Sequence, residues 1–502
     1  MIRRLSQLLL ACLVFTAGAT SAVSLNPRGI GQVLIYPYYT VNRGQDTLIS
    51  VVNASSVAKL ARVRFLEGYN GRTVFSEYVF LSAHDTWTAA VTQTADDGGA
   101  RLATSDHSCM YPTLTADNAL FTSADYDGTD GNDADDGPQD VTRTGEGLIE
   151  IIEAGDIVAG SAAEAEITHV QNGAPGQGLP SCHFAQAPGA PPIDIGDLAP
   201  PTGGLYGSGS IVDVAQGTFF AYGATALAGF TDQVPVADLT DAAQPSLDQA
   251  HSSESDATAR AYVPFDDGHV VGFDFDRGID AVTAVLMATS ISNEFVTGAG
   301  LGANTDWVIT FPTKRFYVDE NLPDTPLPPF VETFGEHIAN DGTRIHGQSR
   351  VVFPISVYDR EELATSNVNT DCGFLCPSEL PLQLAYEVNI FGLLADGTLA
   401  GTPSGVLGSR LSSFYYGGIG QPPRGDTGWF QMDLLSGDGG HVMESTASSD
   451  DPVLIEGLPA VGFMVYNIVN ANAQPGVLGN YGGAFAHRST FGCVGTPCPP
   501  SQ

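Results

Sequence analysis

The residues with the clearest capacity for chemistry are carboxylates. Their densest group runs Asp125-Tyr-Asp127-Gly-Thr-Asp130-Gly-Asn-Asp133-Ala-Asp135-Asp136-Gly137. Aspartates broken by glycines offer hard oxygen ligands on a backbone free to curl. Calcium takes roughly six to eight such oxygens at about 2.3–2.6 Å. Asp125, Asp127, Asp130, Asp133 and Asp135 are therefore candidate calcium ligands. The EF-hand register fails: counted from Asp125, Asp130 stands where the template needs glycine. A second reading is a solvated loop over 115–145, with no core of its own, held open by like-charge repulsion.

Other carboxylates lie close in sequence. Glu150 with Glu153, and Asp274 with Asp276, are the pairs a glycoside hydrolase could use. Such a pair must face across a cleft at roughly 5–9.5 Å. With 57 acidic residues in the chain, neighbouring acids also arise without function. The ten histidines are scattered, and His84-Asp85 and His487-Arg488 read as strand ends. No GxSxG elbow, HExxH helix, phosphate-binding loop or GxGxxG turn occurs. No catalytic residue is assigned.

The seven cysteines suggest oxidation rather than metal binding. Met1-Ile-Arg3-Arg4, the apolar run Leu8 to Gly18 and the small residues Thr20-Ser21-Ala22 have the layout of a secretory signal, with cleavage expected after Ala22. The run is shorter than the ~20 residues of a spanning helix. Cys12 leaves with the signal. Cys109, Cys182, Cys372, Cys376, Cys493 and Cys498 remain, an even set in an exported chain. The simplest pairing is 109–182, 372–376 and 493–498. It would tie off the acidic loop at its base, pin a turn and close the tail.

Charge excludes some partners. The formal net charge is −37, from 20 basic and 57 acidic side chains. Such a chain repels phosphate backbones and anionic lipid. Lys59 and Lys314 are the only lysines.

The elements that must position these residues are strands. Val33 to Val41 and Asp46 to Asn53 are aromatic and β-branched. Val63 and Phe65 alternate with Arg62 and Arg64, Asn70-Gly71 follows, and Thr73 to Phe80 alternates again, which predicts a hairpin. Gln216-Gly217, Asp267-Gly268, Asp341-Gly342 and Asp396-Gly397 mark further turns. Gly147 to Ile152, Ala281 to Ile291, Trp307 to Val318, Gly428 to Asp433 and Ala460 to Val469 read as strands. Short helical pieces are expected within 241–260, capped by Ser246, and over 359–365. Strands bounded by turns, with almost no helical periodicity, point to an all-β protein. It would be one large β-sandwich or two. A membrane barrel fits less well, since Ala460 to Val469 is apolar on both faces.

Several of these stretches carry a resemblance. Leu81-Ser-Ala-His-Asp-Thr-Trp87, Gly145 to Glu153, Thr305 to Tyr317 and Tyr481 to Arg488 resemble a group of uncharacterised exported proteins of Gram-negative bacteria. The first hundred residues after the signal look like immunoglobulin-like sandwich modules of bacterial surface proteins. The resemblance implies export and a β-sandwich, and it carries no activity.

The expected organisation is a signal peptide at 1–22, a β-sandwich over 23–318, a proline-rich connector at 319–331, a second β-rich domain over 332–492 and a disulfide-tied tail at 493–502. The expected function is an exported or cell-surface, non-enzymatic binding or structural protein with a protein or glycan partner and no nucleic acid. The rivals are a secreted glycan hydrolase using carboxylates, and a surface-layer protein that self-assembles with calcium.

Overall fold

The computed structural model describes residues 22–129, 134–169, 178–183, 193–298, 300–338, 344–361, 364–366, 382–394, 403–412, 426–435, 440–446, 453–470 and 474–495. The fold is all-β and sandwich-type, built from sheets that are antiparallel except where Val23–Leu25 and Ala259–Pro264 pair in parallel. The largest sheet is centred on Glu146–Ile157, a strand buried along its whole length. Val33–Thr40 pairs with it on one side and Lys59–Glu67 on the other. Thr73–Leu81 extends the sheet beyond Lys59–Glu67. A five-stranded sheet packs across it, ordered Thr218–Gly223, Leu205–Asp213, Asp46–Asn53, Thr86–Gln93 and Ala100–Ala103. Tyr36, Tyr39, Phe65, Ile149 and Ile151 from the first sheet share one core with Ile49, Val51, Trp87 and Ile211 from the second.

The turn chemistry acts as the sequence predicts. Asn70-Gly71 lies in the loop joining Lys59–Glu67 to Thr73–Leu81, and Gly71 has φ +72°, open to glycine at no steric cost. Gly268, at φ +87°, turns the chain between Ala259–Pro264 and Val270–Phe275. Ser246 caps a short 3-10 helix at Leu247–Gln249 through a capping box with Gln249. The pairs Asp341-Gly342 and Asp396-Gly397 lie outside the described residues.

Two further sheets form the other part of the molecule. One runs Ala364–Ser366, Ile355–Asp359, Thr427–Asp433, Ser290–Val296 and Arg488–Thr490. The other runs Val388–Leu393, Ala303–Thr310, Val461–Ile468 and Tyr481–Ala486. Phe295 and Phe430 from the first meet Trp307, Phe391 and Met464 from the second. The expected boundary at 319–331 is crossed by the sheets themselves. Ser290–Val296 pairs with Thr427–Asp433, and Ala303–Thr310 pairs with both Val388–Leu393 and Val461–Ile468. The proline-rich stretch folds back on the body: Leu327 N–H donates to Tyr317 O at 2.9 Å, and Phe330 is buried in the core.

Three local expectations are corrected. The apolar run from Ala281 is helical over Gly278–Leu286 before the strand Ser290–Val296 begins. Apart from Asp280 this helix is buried on all sides, so its sequence has no polar stripe to betray the helical period. The strand expected over Trp307 to Val318 ends at Thr310, and Arg315–Val318 is a helical turn. Pro312, lacking an N–H, cannot carry the ladder onward. Where a helical turn is expected over 359–365, Ile355–Asp359 and Ala364–Ser366 pair as antiparallel strands.

Cys109 and Cys182 form a disulfide, with Cα atoms 5.5 Å apart. Cys493 also takes part in a disulfide. Cys372, Cys376 and Cys498 lie outside the described residues.

Candidate functional site

The acidic segment is anchored more firmly than a solvated loop requires. Phe121 packs with Phe65 and Phe75, and Tyr126 is fully buried. Arg143 lies over the Tyr126 ring at 4.1 Å and reaches Asp135 through two bonds of 2.7 and 2.8 Å. Burial pushes the Asp135 carboxyl up, but Arg143 outweighs it and holds the group below the usual carboxylate range. Both Asp135 oxygens are thus engaged by a guanidinium, and a cation would have to compete with it. Asp127 is turned onto its own loop, accepting from Ser123 Oγ at 2.6 Å and from Thr129 N and Oγ1. Asp125 is partly buried, which pushes its carboxyl up. Asp130 and Asp133 lie outside the described residues. Among the described residues no group of three or more His, Cys, Asp or Glu side chains is placed to hold a metal ion.

Of the two carboxylate pairs, every member but Asp276 is committed. Glu150 and Glu153 sit on the buried Glu146–Ile157 strand. Arg315 reaches Glu150 at 2.6 Å and Glu387 at 3.3 Å. Lys59 donates to Glu153 at 2.8 Å, to Asp156 and to Thr202 Oγ1 at 3.0 Å. Burial pushes the Glu153 carboxyl up, and the Lys59 ammonium opposes it. Glu146 accepts from the Tyr38 hydroxyl and from Arg410 N, each at 2.8 Å. Asp274 is gripped by Arg260 through bonds of 2.8 and 2.7 Å and accepts from Ser255 Oγ, while Asp276 is exposed beyond the end of the strand.

The two histidines singled out in the sequence, His84 and His487, have structural surroundings. His84 occupies an exposed turn at φ +59°. His487 is half-buried beside Trp307, with ring centroids 4.7 Å apart. Its Nε2–H donates to Val308 O at 2.9 Å, and its Nδ1 accepts from the Asn293 amide at 3.1 Å. Burial lowers its pKa to about 4, so the ring stays neutral. Lys314 is buried, its Nζ bonded to Ser349 O at 2.6 Å and Tyr386 O at 3.2 Å, and burial lowers its pKa to about 7.

A different site emerges from strand pairing. On the outer face of the five-stranded sheet containing Thr427–Asp433, Trp429 lies between Tyr358 and Glu294 on the neighbouring strands. The Tyr358 and Trp429 rings stack, with centroids 4.2 Å apart and planes 11° from parallel. The next row along the same face is polar: Ser356, Gln431, Ser292 and Arg488 pair in register. On the inner face Phe295 and Phe430 stack at 4.7 Å, fixing the strand from beneath. Gly428 has no side chain because one would strike the Phe295 ring and Tyr358 O. A groove of about 590 Å3 runs beside Trp429, lined also by Glu294, Asn293, Arg360 and Arg488. The Glu294 carboxylate and the Arg360 and Arg488 guanidinia form no ion pair among the described residues.

The sequence reading assigns Gly428 to Asp433 to a strand and stops there. Trp429 and Tyr358 are far apart in the chain, and only the sheet brings them together. The available signal was the alternation of Trp429 and Gln431 with Phe430 and Met432. No protein-family model, no curated protein and no solved structure matches this chain.

Proposed function

We propose that this chain is an exported, non-enzymatic binding protein that works at or outside the cell envelope. Its recognition surface is the outer sheet face around Trp429. The observation that carries this reading is a contrast in commitment. Among the described residues, the acids that hydrolysis would call on, the exposed Asp276 apart, are held by arginine, lysine or backbone N–H groups, whereas the Glu294, Arg360 and Arg488 side chains beside the exposed indole form no ion pair. Binding sites combine an aromatic surface with a few convergent polar groups in this way. The disulfide between Cys109 and Cys182 suits an oxidising compartment. No helix among the described residues is long and apolar enough to cross a membrane.

The test has two parts. Fractionation of the native host should find the chain in the periplasm, on the surface or in the medium. The purified chain should release no reducing ends from a panel of polysaccharides. Sustained turnover abolished by Asp274→Asn or Glu150→Gln, or confinement to the cytoplasm, would overturn the reading.

A further inference from the structure

We infer that the groove beside Trp429 binds a neutral glycan of β-linked pyranoses, with the indole as its stacking wall. This rests on the reading of that face as the binding surface, and it adds the chemical class of the ligand.

The argument begins with the indole. Trp429 is the one exposed tryptophan of three: it is 40% exposed, whereas Trp87 and Trp307 are at 0%. It does not lie loose. Tyr358 covers part of it, the neighbouring strands flank it, and stacked phenylalanines hold the strand from below. A side chain immobilised before binding loses little further freedom when a ligand arrives. A fixed, flat π-surface suits a ligand with a flat face of C–H bonds. Pyranoses with equatorial hydroxyls present such a face and keep their hydroxyls at the rim.

The rim of the groove matches those hydroxyls. Glu294 supplies two acceptor oxygens, Arg360 and Arg488 supply forked donors, and Ser292 adds a hydroxyl. The volume of about 590 Å3 falls in the range of small-ligand sites, roughly 300–1,000 Å3. Charge selects among glycans. A chain of net charge −37 repels polyuronates and sulfated chains at long range, which leaves neutral sugars.

The same features disfavour a protein partner. A protein interface needs an apolar core inside a polar rim. Here Trp429 and Tyr358 are bordered on one side by Ser356, Gln431 and Ser292, and among the described residues the further apolar groups lining the groove are only Val296 and Phe295. Strand addition needs a free sheet edge, and this groove lies on the face of three paired strands.

The experiment is a calorimetric titration of the full exported chain, a readout that does not depend on the emission of Trp429 itself. The probes are hexamers of β-1,4-linked glucose, β-1,4-linked N-acetylglucosamine and β-1,3-linked glucose, with polygalacturonate as the anionic comparison. At least one neutral hexamer should give a saturable heat of binding. Affinity should fall at least tenfold in Trp429→Ala, and severalfold in Glu294→Gln, with far-ultraviolet circular dichroism unchanged. Trp429→Phe should keep part of the binding, which a variant that merely unfolds would not. Tight binding of polygalacturonate with no neutral hexamer bound overturns the charge argument. Binding unaltered in Trp429→Ala overturns the site. If no glycan binds but an envelope protein is retained in a Trp429-dependent way, the ligand class is wrong and the recognition surface stands. If nothing the chain retains depends on Trp429, both fall.

Discussion

Glu67 and Arg143 meet 2.8 Å apart with neither side chain exposed. The Glu67 carboxylate also accepts the backbone N–H groups of Tyr69, Asn70 and Arg72, so it organises the turn of its own hairpin. Arg143 reaches onward to Asn70 Oδ1 at 2.6 Å and to Asp135. One guanidinium therefore locks the Asn70-Gly71 turn to the acidic segment. Burial disfavours its charge, but Glu67 and Asp135 more than offset this and keep it cationic.

Removing that guanidinium should be costly. Arg143→Met leaves two largely buried carboxylates without their cation, and breaking a buried pair costs about 3–5 kcal/mol. Urea denaturation followed by circular dichroism measures it. The double variant Glu67→Gln with Arg143→Met should recover part of the loss, because one stranded charge is then gone. A single variant within about 1 kcal/mol of wild type would show that the network contributes little.

Lys314 should make stability depend on pH above neutrality. Burial lowers its pKa from 10.5 to about 7, so the unfolded chain binds more protons between those values. Its contribution is whole above pH 10.5 and drains away as pH falls toward 7, by up to about 1.4 kcal/mol per pH unit. Lys314→Met lacks this term. The stability of the variant relative to wild type should rise steadily from pH 10 to pH 7 and level off below. A difference that is flat across that window would place a charged ammonium in the core.

The bond between Cys109 and Cys182 closes a separation of 73 residues. On the chain-entropy account, a loop of that size is worth about 4 kcal/mol. Cys109→Ser with Cys182→Ser should lower the urea midpoint accordingly. It should also leave the acidic segment open to proteases before the sheets unfold. A midpoint unchanged from wild type would mean the segment is held by Arg143 and its aromatics alone.

Gly428→Ala should destabilise the five-stranded sheet. The added Cβ would sit 2.1 Å from Tyr358 O and 2.7 Å from the Phe295 ring. Overpacking of that kind costs typically 1–3 kcal/mol. Thermal unfolding should register it, and acrylamide quenching of Trp429 should rise as the wall loosens.

Much of the fold was legible because local rules held. Alternation on both sides of Asn70-Gly71 placed that hairpin, and Ser246 marked its cap. The helix at Gly278–Leu286 was illegible because burial on every side removes the polar stripe that reveals a period. The central strand hid its role for a related reason. Glu146, Glu150, Glu153 and Asp156 look like surface acids until distant residues, Lys59 and Arg315 among them, arrive to pair with them. No spacing in the chain announces that meeting. The Tyr358–Trp429 stack is of the same kind, since register across strands creates it.

Lys59 and Lys314, the only lysines, are both sealed inside the fold. The native chain therefore shows solvent no side-chain primary amine. Ester dyes, aldehyde fixatives and amine cross-linkers find no lysine to modify until the fold opens, so their uptake beyond the terminal amine clocks unfolding directly. Immobilisation on a sensor surface has to go through carboxyl groups or a tag instead.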